Sequence, residues 1–97
     1  MKDLDKIRDI LASHKAEFAE KYSVKRMGVF GSYVRNEQRR KSDVDILVEF
    51  SKPIGLFTFM DIEEYLQNLL KIKVDLVSKK ALKPKIGEHI LREVVYI

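Results

Sequence analysis

Gly31-Ser32 is followed, after ten residues, by Asp43-Val44-Asp45, and a third acid, Asp75, lies in the run Val74-Asp75-Leu76-Val77. The Gly-Ser pair leaves the apolar run Met27-Gly28-Val29-Phe30, so it reads as the turn at a strand's end. Two acids at i and i+2 on a strand point to the same face, roughly 7 Å apart along the backbone. Like charges at that separation repel, so a folding core gains nothing from them. A divalent cation bound to a triphosphate gains a great deal. Magnesium takes oxygen ligands and is commonly held by one or two carboxylates together with substrate phosphates, a role that fits Asp43 and Asp45. Two such ions about 4 Å apart stabilise both the attacking and the leaving oxygen of an in-line displacement. Asp75, if its strand lies beside that of Asp45, is suited to ligate the catalytic ion and help deprotonate an acceptor hydroxyl. This is the layout that nucleotidyl transfer requires.

The phosphates need close donors. Gly31 lets the backbone approach, Ser32 offers a hydroxyl, and the N–H groups of the helix expected to start there point outward. The same dipeptide also reads as a plain strand-to-helix turn with Ser32 as its N-cap, and the two readings are compatible. Arg35, three residues beyond Ser32 on the same helix face, either contacts substrate or supports the phosphate loop and pairs with Asp43 or Asp45; structural support is slightly favoured. The basic loop Arg39-Arg40-Lys41 reads first as a solvated surface and second as a contact to the triphosphate tail or to an acidic acceptor. Ser42 is expected to hydrogen-bond locally where the acid-bearing strand begins. Lys79, Lys80, Lys83 and Lys85 form a solvated edge or frame a nucleotide entrance.

These residues need a scaffold to hold them. Leu4, Ile7, Leu11, His14, Phe18 and Tyr22 recur in steps of three and four, which predicts one helix from Asp3 to Tyr22. On that stripe His14 reads as a packed histidine rather than a ligand, and His89, near Glu88 on the last helix, is given no general-acid role. Val24–Phe30 is the first expected strand and Ser32–Glu37 a short helix. In the second strand, Asp43–Phe50, Val44, Ile46, Val48 and Phe50 share one face and Asp43, Asp45, Leu47 and Glu49 the other. Pro53 and Gly55 break the chain. A helix over Leu56–Leu70 is expected to be anchored by Leu56, Phe59, Met60, Leu66 and Leu70. Ile72–Val77 is the third strand, and Pro84–Glu93 a last helix with Ile86, Ile90 and Val94 on one stripe. Helices interleaved with strands imply an α/β fold, a small mixed sheet flanked by helices.

Ninety-seven residues with 45% hydrophobic content can bury one core and little more, so a single domain over 1–97 is expected. A second substrate-binding domain has no room. The absence of cysteine excludes a disulfide framework and a cysteine-based zinc site. No apolar run approaches a membrane span, and the N-terminus alternates charge rather than forming a signal peptide. A cytoplasmic protein without a membrane partner is expected. The net charge of +4, with 19 bases among 15 acids, suits nucleotide, nucleic-acid or acidic-protein partners alike and leaves direct nucleic-acid binding open.

The runs Gly31-Ser32-Tyr33-Val34-Arg35, Ser42-Asp43-Val44-Asp45-Ile46-Leu47-Val48 and Val74-Asp75-Leu76-Val77 resemble a minimal nucleotidyltransferase of the DNA polymerase beta superfamily, the small class found beside HEPN-domain toxins in prokaryotes. The tail from Lys80-Ala81-Leu82-Lys83-Pro84 to Glu93-Val94-Val95-Tyr96-Ile97 is also similar to the family's usual ending, so the resemblance runs from about residue 25 onward. One departure is Asn36, where the family often has Gly; Asn tolerates positive φ better than most residues. The resemblance implies a polymerase-beta-like fold and a magnesium-dependent enzyme using ATP. It further implies an antitoxin that modifies a HEPN toxin by adding AMP to a tyrosine. Two other readings stay open: a non-catalytic antitoxin that silences its partner by binding, and a transferase subunit acting on RNA or a small molecule.

Overall fold

The computed structural model describes residues 3–97; Met1 and Lys2, the first residues of the expected 1–97 domain and of its charge-alternating N-terminus, lie outside them. Helix α1 spans Leu4–Ser13 and α2 Lys15–Tyr22, where one continuous helix was expected. The break is at His14, whose backbone leaves the helical region at φ −111° and ψ 9°. A continuing helix would send the His14 N–H to the carbonyl of Ile10. Instead the His14 ring nitrogen Nδ1 lies 3.0 Å from that oxygen, and the N–H turns to Leu11 at 3.1 Å. The Ser13 hydroxyl donates to the same carbonyl at 2.7 Å, so side chains stand in for the lost backbone bond, as local partners do at helix ends. The stripe survives the break, with Ile7, Leu11 and Phe18 buried.

Strand β1 is Val24–Phe30, β2 Val44–Phe50, β3 Val74–Ser78 and β4 Val95–Tyr96, in the spatial order β3-β2-β1-β4. β1 runs antiparallel to β2 and β4, while β2 and β3 are parallel. Joining parallel neighbours demands a crossover, and α3, Leu56–Leu70, supplies it. α3 ends at Leu70 as expected, with Lys71 left-handed (φ 60°), but Ile72 and Lys73 form the connection, so β3 begins two residues later than expected.

Period-two alternation gives the sheet two different faces. Met27, Val29, Val44, Ile46, Val48, Val74 and Leu76 turn to the helices α1 to α3 and form the main core with Ile62, Leu66 and Leu70. Leu56 and Met60 are exposed, at 69% and 53%, so they do not anchor α3 as expected. Met60 precedes Ile62 by two residues and therefore sits about 200° round the helix from it.

On the opposite face Phe30 and Leu47 pack with Ile90 of α4, Pro84–Glu93. Ile90 and Val94 pack toward the sheet as expected, but Gly87, against Leu82, is buried in place of Ile86, which is left 62% exposed. α4 covers only part of this face. The uncovered part carries the acids. Among the described residues no helix is long and apolar enough to cross a membrane.

Candidate active site

Asp45 is the third residue of the sequence Asp43-Val44-Asp45 and the second of β2. Its register partners are Phe30 of β1 on one side and Asp75 of β3 on the other. The parallel β2–β3 ladder therefore sets two acids from distant parts of the chain directly abreast. Asp43 lies just before β2, whose start is tied to the residue preceding β3 by the bond from Val44 N–H to the Lys73 carbonyl, 2.9 Å. Asp43 and Asp75 are exposed and Asp45 is half-buried. Partial burial, then the Asp75 and Asp43 charges, push the Asp45 carboxyl up to about 6. Asp45 and Asp75 are close enough for a protonated carboxyl of one to hydrogen-bond the other. The Arg35 charge opposes that rise.

The Phe30–Gly31 step brings the turn to the same spot. Gly31 has φ +81°, and a Cβ placed on it would lie 2.1 Å from Asp45 Oδ2. No larger residue fits there without moving the carboxylate. The chain then makes a single 3₁₀ turn, Gly31–Tyr33, in place of the expected helix over Ser32–Glu37. Phe30 holds the N-cap position, so Ser32 is not the cap. Beyond the turn the chain folds back through Asn36 at φ 58°, closing with Glu37 N–H on the Ser32 carbonyl at 2.8 Å. Asparagine meets the positive-φ requirement that the family's usual glycine would meet. Ser42 accepts the Arg39 N–H through Oγ at 2.8 Å, the local bond expected of it.

Arg35 pairs with neither Asp43 nor Asp45. Its Nε donates to Glu37 at 2.6 Å and its Nη1 to Glu93 at 2.5 Å. Glu93, the last residue of α4, also accepts the Gly31 N–H through its other oxygen at 2.8 Å. Burial pushes the Glu93 carboxyl up, but the Gly31 and Arg35 bonds outweigh it and hold the group below the usual range. Sequence patterns did not point to Glu93; its partners are 62 and 58 positions away. Lys79 is engaged with Glu49 at 3.7 Å, at the far end of β2 from the acids. His14 packs edge-on against Tyr65, as expected of a stripe histidine.

Among the described residues no three carboxylate, imidazole or thiol groups are placed to hold a metal ion by themselves. A concavity of about 820 Å³ is lined by Lys6, Asp9, Ile10, Tyr33, Arg40, Lys71 and Ile72, and by none of the three acids. The carboxylates therefore stand on an open face. Hard oxygen donors of this kind suit a hard dication that arrives with further oxygens of its own.

The nucleotidyltransferase domain family matches residues 11–97. The chain is 50% identical, over 97 residues, to protein adenylyltransferase MntA of Thermococcus cleftensis, a match that covers all of this chain and 98% of that one. A solved structure assigned to the minimal nucleotidyltransferases superposes with a TM-score of 0.83 at 34% identity, covering 97% of this chain and 95% of the other. A toxin–antitoxin structure with AMP-PNP shares the fold, with a TM-score of 0.71 at 22% identity over 95% of this chain and 69% of that one. Acids abreast on β2 and β3, a glycine turn pressed against one of them, and these likenesses agree: the chain belongs to the nucleotidyltransferase domain family and is a minimal nucleotidyltransferase.

Proposed function

We propose that this enzyme is a metal-dependent protein adenylyltransferase that moves AMP from ATP to a tyrosyl hydroxyl of a HEPN-domain toxin, acting as its antitoxin. One observation carries the chemistry: Asp45 and Asp75 stand abreast on an open sheet face, beside the Gly31-Ser32 turn. The protein acceptor is supported by the full-length relative named a protein adenylyltransferase. A tri-AMPylated HEPN toxin of Shewanella oneidensis, held by an antitoxin of the same fold, supports the choice of partner.

In this reading Asp43 and Asp45, with Asp75, would hold Mg²⁺, which when bound supplies charge neutralisation at the phosphates and polarises the α-phosphorus. The mutual repulsion that raises Asp45 is what such a charge relieves. Ser32 and Arg35 orient the triphosphate from the turn. Asp75, on the exposed edge strand, accepts the proton of the acceptor hydroxyl. The hydroxyl oxygen bonds to the α-phosphorus, the bond from that phosphorus to the bridging oxygen breaks, and pyrophosphate leaves. The proton passes from Asp75 to solvent.

An open face holds a donor but does not position an acceptor, so the rate gain from orientation must come from the partner's own surface. The test is intact-mass spectrometry of a HEPN toxin incubated with the enzyme, ATP and Mg²⁺. The toxin should gain one or more AMP masses on tyrosine, and the enzyme alone should give little product. Asp43→Asn and Asp75→Asn should abolish the gain while the complex still forms. Neutralised toxicity without added mass would instead establish an antitoxin that acts by binding.

A further inference from the structure

We infer that Glu93 is a positioning residue for nucleotidyl transfer, fixing the phosphate turn and Arg35 together from the end of α4. The inference rests on the transfer reading and adds a residue to it. One carboxylate does both jobs: Oε2 takes the Gly31 N–H at 2.8 Å, and Oε1 takes Arg35 Nη1 at 2.5 Å. The Glu93 side chain is only 11% exposed and its bond from Gly31 is partly buried, whereas Arg35 is 45% exposed and keeps one side open to solvent.

The location makes the contacts consequential. Gly31 sits so close to Asp45 that a Cβ on it would lie 2.1 Å from Oδ2, so the turn backbone is seated against that carboxylate. Anchoring the Gly31 N–H therefore fixes the turn relative to the acids. Arg35 is gripped on two sides, by Glu93 and by Glu37. A guanidinium has five donors, and the Nη2 pair is not used by either grip. The result is a cation held near Asp45 with donors still to offer. A long arginine would otherwise surrender considerable side-chain freedom on meeting a phosphate.

Packing alone does not call for this acid. α4 is already seated by Ile90 against Phe30 and Leu47, and by Gly87 against Leu82. A further negative charge close to the Asp43, Asp45 and Asp75 cluster works against an incoming triphosphate unless Arg35 neutralises it. Glu93 and Arg35 therefore act as a pair.

The test is calorimetric titration of the whole chain with Mg²⁺ and a non-hydrolysable ATP analogue, with thermal melts run in parallel. Glu93→Ala should weaken binding roughly 10- to 100-fold, the range expected for losing hydrogen bonds to a charged group. Glu93→Gln keeps an acceptor for Gly31 but loses the charge facing Arg35, and should fall between. In an Arg35→Ala background, Glu93→Gln should change affinity by less than about twofold, because its partner is gone. Glu93→Gln is nearly isosteric and keeps the experiment decisive if Glu93→Ala melts early. Unchanged or tighter binding by Glu93→Gln, or an equal effect with and without Arg35, overturns the inference. Asp43→Asn separates the two levels: if it weakens binding while the Glu93 variants do not, only the Glu93 role falls. If the wild type does not bind the nucleotide, or Asp43→Asn leaves binding unchanged, the transfer reading falls and this role with it.

Discussion

Neutralising Asp45 should make the metal-free protein more stable. In the unfolded chain the group ionises near 3.8; in the folded chain, burial and the Asp75 and Asp43 charges push it up to about 6. Between those values the folded protein holds a proton that the unfolded chain has released. The stability this provides is fully present below about pH 4 and lost as pH rises through 6. Two pKa units correspond to about 3 kcal/mol, but Asp45 is half-exposed and water screens much of that. We take about 1 kcal/mol as the effect at pH 7.5. For a chain of this size that is a melting shift of roughly 4–8 °C. Asp45→Asn removes the charge and keeps the shape, so in EDTA at pH 7.5 it should melt higher than wild type by that margin. At pH 4.5, where Asp45 is mostly neutral in the folded protein but still ionised in the unfolded chain, the gap should narrow to about a third, and it should close below about pH 4. Added Mg²⁺ and ATP analogue should invert the order, because a ligand at 100 times its Kd contributes about 2.7 kcal/mol to the protein that binds it. Circular-dichroism melts at the two pH values measure all of this. An Asn variant that melts no higher than wild type at pH 7.5, or a gap that ignores pH, would show that the acids are not in electrostatic conflict.

Three further perturbations address the turn. Ser32→Ala should leave the melting temperature unchanged and weaken binding of the Mg²⁺-bound ATP analogue by about 1–3 kcal/mol, as expected when a hydroxyl to a charged phosphate is lost; unaltered calorimetric affinity refutes that role. Gly31→Ala should lose at least about 2 kcal/mol in urea melts, since an L residue is strained at positive φ and its Cβ would collide with Asp45 Oδ2. Asn36→Gly should be tolerated within about 1 kcal/mol, whereas Asn36→Val should cost about 1–3 kcal/mol at φ 58°; equal melts for the two would mean that the loop has another conformation in solution.

The acids were legible because alternation is rigid arithmetic: once Val44, Ile46 and Val48 are apolar, Asp45 must face away from them. The pairing of Asp45 with Asp75 was only conditional in the sequence, since no local pattern says which strands lie side by side. The fold supplies that through the α3 crossover. Sequence and structure part where a side chain serves a local backbone need or where an apolar residue lies off the buried side of its helix. His14 fits a helical stripe and still interrupts the helix, at a point where the Ser13 hydroxyl and the His14 ring take the Ile10 carbonyl. Leu56 and Met60 are apolar but lie on the wrong side of α3. Arg35 reads as a support in the sequence, yet its partner, Glu93, is 58 residues away and carries no spacing signal.

The alternation on β2 also means that folding and arming the site are one event. A slip of one residue along the ladder would carry Asp45 into the apolar interior and turn Val44 outward, exchanging every side chain between faces. Such a state would bury a carboxylate among Val29, Ile62 and Leu66 and is heavily penalised. The hydrophobic core thus proofreads the position of the acids: a molecule whose core has closed has Asp45 beside Asp75, and a misaligned one fails to fold before it can mishandle a nucleotide. Mutations on the buried side of β2 are therefore expected to reveal themselves as lost protein rather than as altered specificity.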